Sequence, residues 1–220
     1  MSRRRLIGAA LLAALPIHAP HAQQRGAAPA PAPAPRPLTA ADRAVLGQVE
    51  AYLNGLRTIR ARFVQIAQNG ASAQGTAWIV RPGRMRFDYD PPEPMLLVAS
   101  GGQVMMYDRE LGQPSTVPAS STPLGLLLRD QIRLSGDITV TAVERRGGFL
   151  HVTMHRTGSP AEGRLTLSFE ETPMQLRQWT VVDAQGRATR VTLYEIDTTV
   201  RPNLRMFDFN DPRFLEELRR

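Results

Sequence analysis

From Thr58 onward the chain alternates apolar and polar residues in short runs bounded by turn signals, and little else about it limits the fold so strongly. Period two sends successive side chains to opposite faces, which suits half-buried strands and does not suit helices. The runs are Thr58 to Ala67, Gln74 to Val80, Arg84 to Tyr89, Met95 to Ser100, Gln103 to Asp108 and Pro114 to Val117. After an interruption they resume at Asp137 to Glu144, Gly148 to His155, Gly163 to Phe169, Gln175 to Asp183, Arg187 to Ile196 and Arg205 to Phe209. Gly101-Gly102, Gly147-Gly148 and Ala184-Gln185-Gly186 supply tight turns between neighbours. About a dozen short strands joined this way predict a mainly β protein, an antiparallel meander forming one strongly curved sheet or an incomplete barrel.

Two stretches break the pattern. Thr39 with Asp42 three residues on is a capping-box-like start, and Val45, Leu46, Val49, Tyr52, Leu53 and Leu56 recur at helical spacing up to Gly55, predicting one amphipathic helix. Ser121-Thr122-Pro123-Leu124-Gly125-Leu126-Leu127-Leu128 joins a cap residue, a proline at a first helical position and a leucine cluster, and predicts a short second helix. An amphipathic helix must bury its apolar face, and the concave side of the sheet is the available place. Helices that fill the hollow make a plain core; helices that lie across its mouth make a ligand site with a lid.

Arg81 to Pro92 has the clearest alternation. Met85, Phe87 and Tyr89 share one face, and Arg84, Arg86 and Asp88 the other, between a Pro82-Gly83 turn and a Pro91-Pro92 stop. On this stretch alone the three large apolar side chains read as ordinary core.

The N-terminus reads differently. Arg3 to Arg5, the apolar run Leu6 to Leu15 and the small residues around Ala22 predict a secretory signal peptide over residues 1–22, loosely similar to a twin-arginine signal. Ala-Pro repeats then predict a flexible arm over 23–38. The expected folded domain is 39–212, with a tail at 213–220. All 27 basic residues are arginine; removal of Arg3 to Arg5 leaves 24 against 20 acids, or +4. That mild charge, with acids interleaved among Arg57, Arg60, Arg62, Arg84 and Arg86, lacks the footprint of a nucleic-acid binder. Cysteine is absent, so there is no disulfide, thiolate site, thiol nucleophile or lipid-modifiable cysteine.

Catalytic signatures are missing. His151 and His155 share a strand face roughly 13 Å apart, too far to hold one metal ion. No Gly-rich phosphate loop or nucleophile elbow occurs, and Gly158-Ser159-Pro160 lacks the flanking pattern. Asp88 and Asp90 read as a solvated rim rather than paired catalytic carboxylates. The expectation is a binding protein without metal or cofactor, and not an enzyme.

The order of signal peptide, amphipathic helix, Phe63-Val64-Gln65, Gly75 to Trp78, Arg81 to Phe87, Pro91-Pro92 and Thr122 to Leu128 resembles the periplasmic outer-membrane lipoprotein carrier family, LolA. The likeness runs from about Leu38 to Pro212. It implies an unclosed antiparallel β-barrel of about 11 strands with an α-helical lid, in a periplasmic monomer. The implied role is to accept lipoprotein acyl chains from an inner-membrane lipoprotein-releasing ABC transporter and deliver them to an outer-membrane lipoprotein receptor. The resemblance makes Arg81 the latch from barrel to lid. It makes Trp78, Met85, Phe87 and Tyr89 the lipid-binding wall, faced by Leu46, Val49, Leu53 and Leu56 from the first lid helix and by Leu124, Leu127 and Leu128 from the second. The receptor of the same fold class carries a lipidated cysteine, which this sequence lacks, so the soluble carrier is preferred. A carrier or sensor of another lipid or glycolipid stays open as the alternative. The Ala-Pro arm and the segment Phe214 to Arg220 have no counterpart in the family pattern.

Overall fold

A computed structural model describes residues 37–211 and Phe214. The expected signal peptide, most of the arm and most of the tail lie outside the described residues. Helix α1 spans Ala40–Gly55. Its start is the expected capping box: the Asp42 amide donates to Thr39 Oγ1 at 3.1 Å, and the Thr39 amide to the Asp42 carboxylate at 2.8 Å.

Eleven strands follow: β1 (Thr58–Ala67), β2 (Ser72–Val80), β3 (Arg84–Tyr89), β4 (Met95–Ser100), β5 (Gln103–Asp108), β6 (Gln113–Pro118), β7 (Ile138–Arg146), β8 (Phe149–Arg156), β9 (Gly163–Glu171), β10 (Met174–Asp183) and β11 (Ala188–Asp197). They form one sheet in the order β6-β5-β4-β3-β2-β1-β11-β10-β9-β8-β7, antiparallel throughout. The two halves of the chain are hairpin meanders, joined where β1 pairs with β11. The edge strands β6 and β7 are not neighbours, so the barrel is unclosed. Gly101 and Gly102 both have positive φ, 56° and 76°, which makes the β4–β5 loop the two-residue turn that matches strand twist. Edge strand β6 is largely exposed and carries Pro114 and Pro118. Edge strand β7 has a register shift between Val140 and Ala142.

Between the two edges the chain crosses over through a 3-10 helix, Pro123–Leu128, capped by Thr122 as expected, with the Gly125 amide donating to Thr122 Oγ1 at 3.1 Å. This helix and α1 bury their apolar faces against the concave side of the sheet, in one core with β1–β5 and β7–β11. Helix α1 is tied to the far half of the sheet, where Tyr52 Oη accepts from the Leu176 amide at 3.0 Å and the Tyr52 ring meets Phe169 edge-on.

The expected strand Arg205 to Phe209 does not form; Leu204–Phe207 is a 3-10 turn. Asn203 caps it by accepting from the Arg205 amide at 3.1 Å, a local bond that competes with a ladder. The turn lays Met206, Phe207 and Phe209 on the convex face, where Phe207 and Phe214 form a second core with Leu96, Val98, Met105 and Tyr107. Strands β4 and β5 are thereby covered on both faces.

At Gly75 in β2 an added Cβ would lie 2.0 Å from the Asp88 carbonyl oxygen and 2.8 Å from the Phe63 ring. Gly75→Ala is expected to wedge β3 from β2 and to lower stability by about 2–3 kcal/mol. Urea unfolding with an unchanged slope and a lower midpoint checks it.

Candidate functional site

Strand parity decides what faces the hollow. In β3 the side chains of Met85, Phe87 and Tyr89 are buried on the concave side, and across the β2 ladder Met85 lies opposite Ile79 and Phe87 opposite Ala77. Trp78 lies opposite Arg86, so it belongs to the other face. This corrects the expectation that Trp78 lines the hollow: it packs against the convex-side core, with the Arg60 guanidinium 5.3 Å from its ring centroid.

The inward wall contains an aromatic cluster. Phe63 meets Phe87 and Tyr89 with ring centroids 5.0 Å apart in each pair, and Phe87 meets Trp179 edge-on at 6.0 Å. Trp179 is the indole that serves the inner wall, and a strict alternation through β10 conceals it. The ladder between β9 and β10 shifts register between Leu176 and Gln178, so Leu176 and Trp179, three residues apart, are both buried inward. The available signal is a second tryptophan inside a candidate strand, Gln175 to Asp183.

One polar pair lies in this wall. Tyr89 Oη donates to Gln65 Oε1 at 2.8 Å, which satisfies both groups, and burial pushes the tyrosine hydroxyl well above its ordinary range. The hydroxyl therefore stays neutral, and the wall carries no charge there.

Leu46, Val49 and Leu53 of α1 are buried against the hollow, and Leu56, the residue that caps the helix, is half-buried on the same core. Leu124, Leu127 and Leu128 are buried as well. Together these side chains nearly fill the hollow. The room left among Met85, Phe87, Tyr89, Leu97, Met106, Leu124 and Trp179 is about 30 Å³, enough for about two water molecules. In this arrangement the hollow is closed and packed.

Arg81, the first residue of the β2–β3 turn, reaches both helical elements. One guanidinium nitrogen donates to the carbonyl of Leu53, with a longer bond to Leu56 at 3.3 Å, both at the C-terminal end of α1. The other donates to the carbonyls of Arg129 and Asp130 at 2.7 and 3.3 Å, immediately after the 3-10 helix. One buried side chain thus bonds to both helical elements. The adjacent Gly83 amide adds a bond to the Leu128 carbonyl at 2.9 Å. Burial, reinforced by nearby Arg57, makes the Arg81 cation less favourable than in water, and its Nε has no partner among the described residues. An orphaned buried N–H costs about 1–3 kcal/mol, which offsets part of what these four bonds contribute.

Nδ1 of His151 lies 2.8 Å from Ser168 Oγ and Nδ1 of His155 lies 2.9 Å from the Arg156 carbonyl oxygen, so each ring is engaged locally. Asp88 pairs with Arg86 and Arg109, and Asp90 with Arg62, which holds the Asp90 carboxyl below the usual range. Among the described residues no three potential ligands gather as a metal site.

Against known proteins, the family model described as outer membrane lipoprotein carrier protein LolA matches residues 54–210. The outer-membrane lipoprotein carrier protein of Legionella pneumophila is 30% identical over 176 residues, covering 75% of this chain and 85% of its own. The protein of that name from Pseudomonas aeruginosa is 26% identical over 182 residues, covering 79% and 86%. Among solved structures, an uncharacterized conserved protein from Thermus thermophilus aligns over 78% of this chain and 96% of its own, at 12% identity and a TM-score of 0.47.

Proposed function

The chain belongs to the LolA family of outer-membrane lipoprotein carrier proteins, and on that premise we propose that it is a periplasmic chaperone that accepts the acyl chains of lipoproteins and delivers them to the outer membrane. Members of this family are carriers and not enzymes. Its proposed partners are lipoproteins, the inner-membrane ABC transporter that releases them, and an outer-membrane receptor. It works as a monomer, with residues 39–212 as the carrier domain behind a signal peptide and an Ala-Pro arm.

The observation that carries the proposal is Arg81 joining α1 and the 3-10 helix across an apolar wall. A core needs no such cation; a compartment that opens and closes does. Magnitudes require the handover to be direct. Burial yields roughly 0.8 kcal/mol per methylene, so a chain of about 15 methylenes gains about 12 kcal/mol over water. Three such chains would exceed the practical affinity ceiling of about 20 kcal/mol, so exchange runs between apolar sites rather than through water. The carrier must then hold cargo slightly less well than its acceptor, and closing the hollow lowers its affinity by taking back the space. Met85 and Met106 suit a wall that repacks around different chains.

Native mass spectrometry of the protein purified from the periplasm tests the proposal. Co-purified triacylated lipoprotein is expected; a free lipid in its place would turn the cargo to the alternative class, and a consistently empty protein would return the hollow to plain core. Met85→Glu puts a carboxylate on a wall that is 2% exposed, and is expected to lower lipoprotein retention at least tenfold, scored by co-purification at equal soluble yield.

A further inference from the structure

Between the 3-10 helix and β7 the chain runs through a strap, Asp130 to Leu134, that pairs with no strand. Among the described residues, none of these five makes a backbone-to-backbone hydrogen bond. The strap is held by side chains of α1 instead. Asn54 donates from Nδ2 to the Ile132 carbonyl at 2.9 Å and accepts at Oδ1 from the Ile132 amide at 2.8 Å, so one side-chain amide meets both polar groups of one residue. Glu50, four residues earlier on the same helix face, accepts from the Leu134 amide at 2.5 Å. The spacings match. Four residues of helix rise about 6 Å and two residues of extended chain about 6.6 Å, so Asn54 and Glu50 meet alternate residues of a strap that runs antiparallel to the helix. The same alternation buries Ile132 and Leu134 and leaves Gln131 and Arg133 exposed. Gly136 follows with φ of 75°, a backbone state that glycine adopts without strain, and there the chain turns away toward β7.

We infer that α1 and the strap are one moving body, and that Glu50 and Asn54 are the positioning residues that make them so. When the hollow opens, Asp130 to Leu134 travels with the helix, although its covalent neighbours are the 3-10 helix and β7. The inference rests on the opening proposed above and is indifferent to the cargo. If α1 left alone, both polar groups of Ile132 and the amide of Leu134 would lose their partners at once, beside side chains that are buried. Joint movement keeps all three bonds. Arg81 meets this body at its corner: Leu53 and Leu56 flank Asn54 on the helix, and Asp130 begins the strap. The body has one further polar tie to the sheet described above, from the Leu176 amide to Tyr52 Oη at 3.0 Å. Loss of Arg81 therefore frees both segments together, because the bonds between them do not pass through the sheet.

The sequence has no cysteine, so pairs of introduced cysteines carry spin labels at chosen sites of the whole protein. Gln48→Cys marks α1, Gln131→Cys the strap and Ser72→Cys the sheet, all at exposed positions. Pulsed electron paramagnetic resonance reads the three distances. Arg81→Leu opens the hollow without cargo, and Tyr52→Phe, which removes only the acceptor of the Leu176 amide, is a second and milder opener. In either background the helix-to-sheet and strap-to-sheet distances are expected to gain a second population of equal weight, while the helix-to-strap distance stays single. Adding Asn54→Ala is expected to broaden the helix-to-strap distance and to make the two weights differ by at least about threefold. Glu50→Ala should act in the same direction, and Glu50→Gln, whose amide oxygen still accepts from Leu134, should restore equal weights. A merely structural Asn54 would lower the urea midpoint and leave the weights equal, which overturns the inference. Unequal weights with Asn54 intact, or no second population in either opener, overturn it as well. Lipoprotein acceptance measured in parallel separates the two readings. Equal weights in a protein that refuses lipoprotein keep the joint body and lose the carrier role; unequal weights in one that accepts lipoprotein do the reverse.

Discussion

Arg81→Leu is expected to leave the barrel folded and to shift the lid toward the open state, so that lipoprotein is accepted normally and handed to the receptor poorly. The substitution removes the donor shared by the carbonyls of Leu53 and Leu56 on one side and of Arg129 and Asp130 on the other. It also removes the buried cation and its orphaned Nε, which returns part of the loss. A net of about 3 kcal/mol against the closed state is the expected scale for charged hydrogen bonds lost in a buried setting. At about 1.4 kcal/mol per tenfold, the closed fraction then falls by more than a hundredfold relative to the open one. Under the proposed function release follows from closure reclaiming the space, so this lost bias is expected in transfer and not in loading. An in vitro transfer assay with purified lipoprotein reads both steps; normal handover by the variant would remove Arg81 from the mechanism.

Trp179→Ala is expected to be the most damaging single truncation of the inner wall. The side chain is 1% exposed and meets Phe87 edge-on. Deleting a buried indole costs about 3–5 kcal/mol, part of it for the cavity left behind. Here the cavity would merge with the small room beside it, so an apolar ligand should recover some of the loss by mass action. Thermal unfolding with and without bound lipoprotein checks this: cargo should raise the midpoint of the variant more than that of the wild type. An equal rise in both would mean that the indole borders no space the cargo reaches.

The sheet was legible because its signals are local. Alternation in Arg84 to Tyr89, two consecutive glycines at 101 and 102, and the Thr39–Asp42 cap each act over a few residues, and each marks its element. Less legible were features that depend on a partner far away in the chain. The family pattern places Trp78 inward, although its parity with Arg86 sends it outward. Trp179 is not legible from alternation, because a register shift reverses the parity of β10. The second core was hidden because Leu204–Phe207 resembles a strand in composition, while Asn203 turns it. A sign was present: Met95 to Ala99 is apolar at every position, as a strand covered on both faces should be. Arg81 could be named from the family pattern, but its four acceptors lie on segments 25 to 49 residues away in sequence.

An unclosed sheet keeps two rows of backbone donors and acceptors that any passing strand can pair with. In β6 the prolines at 114 and 118 delete amide donors from that template, and in β7 the register shift at Val140–Ala142 bends it. Fibril growth and strand exchange between copies are thereby discouraged at both edges. The sheet can therefore stay unclosed without offering either edge as a template for a second copy.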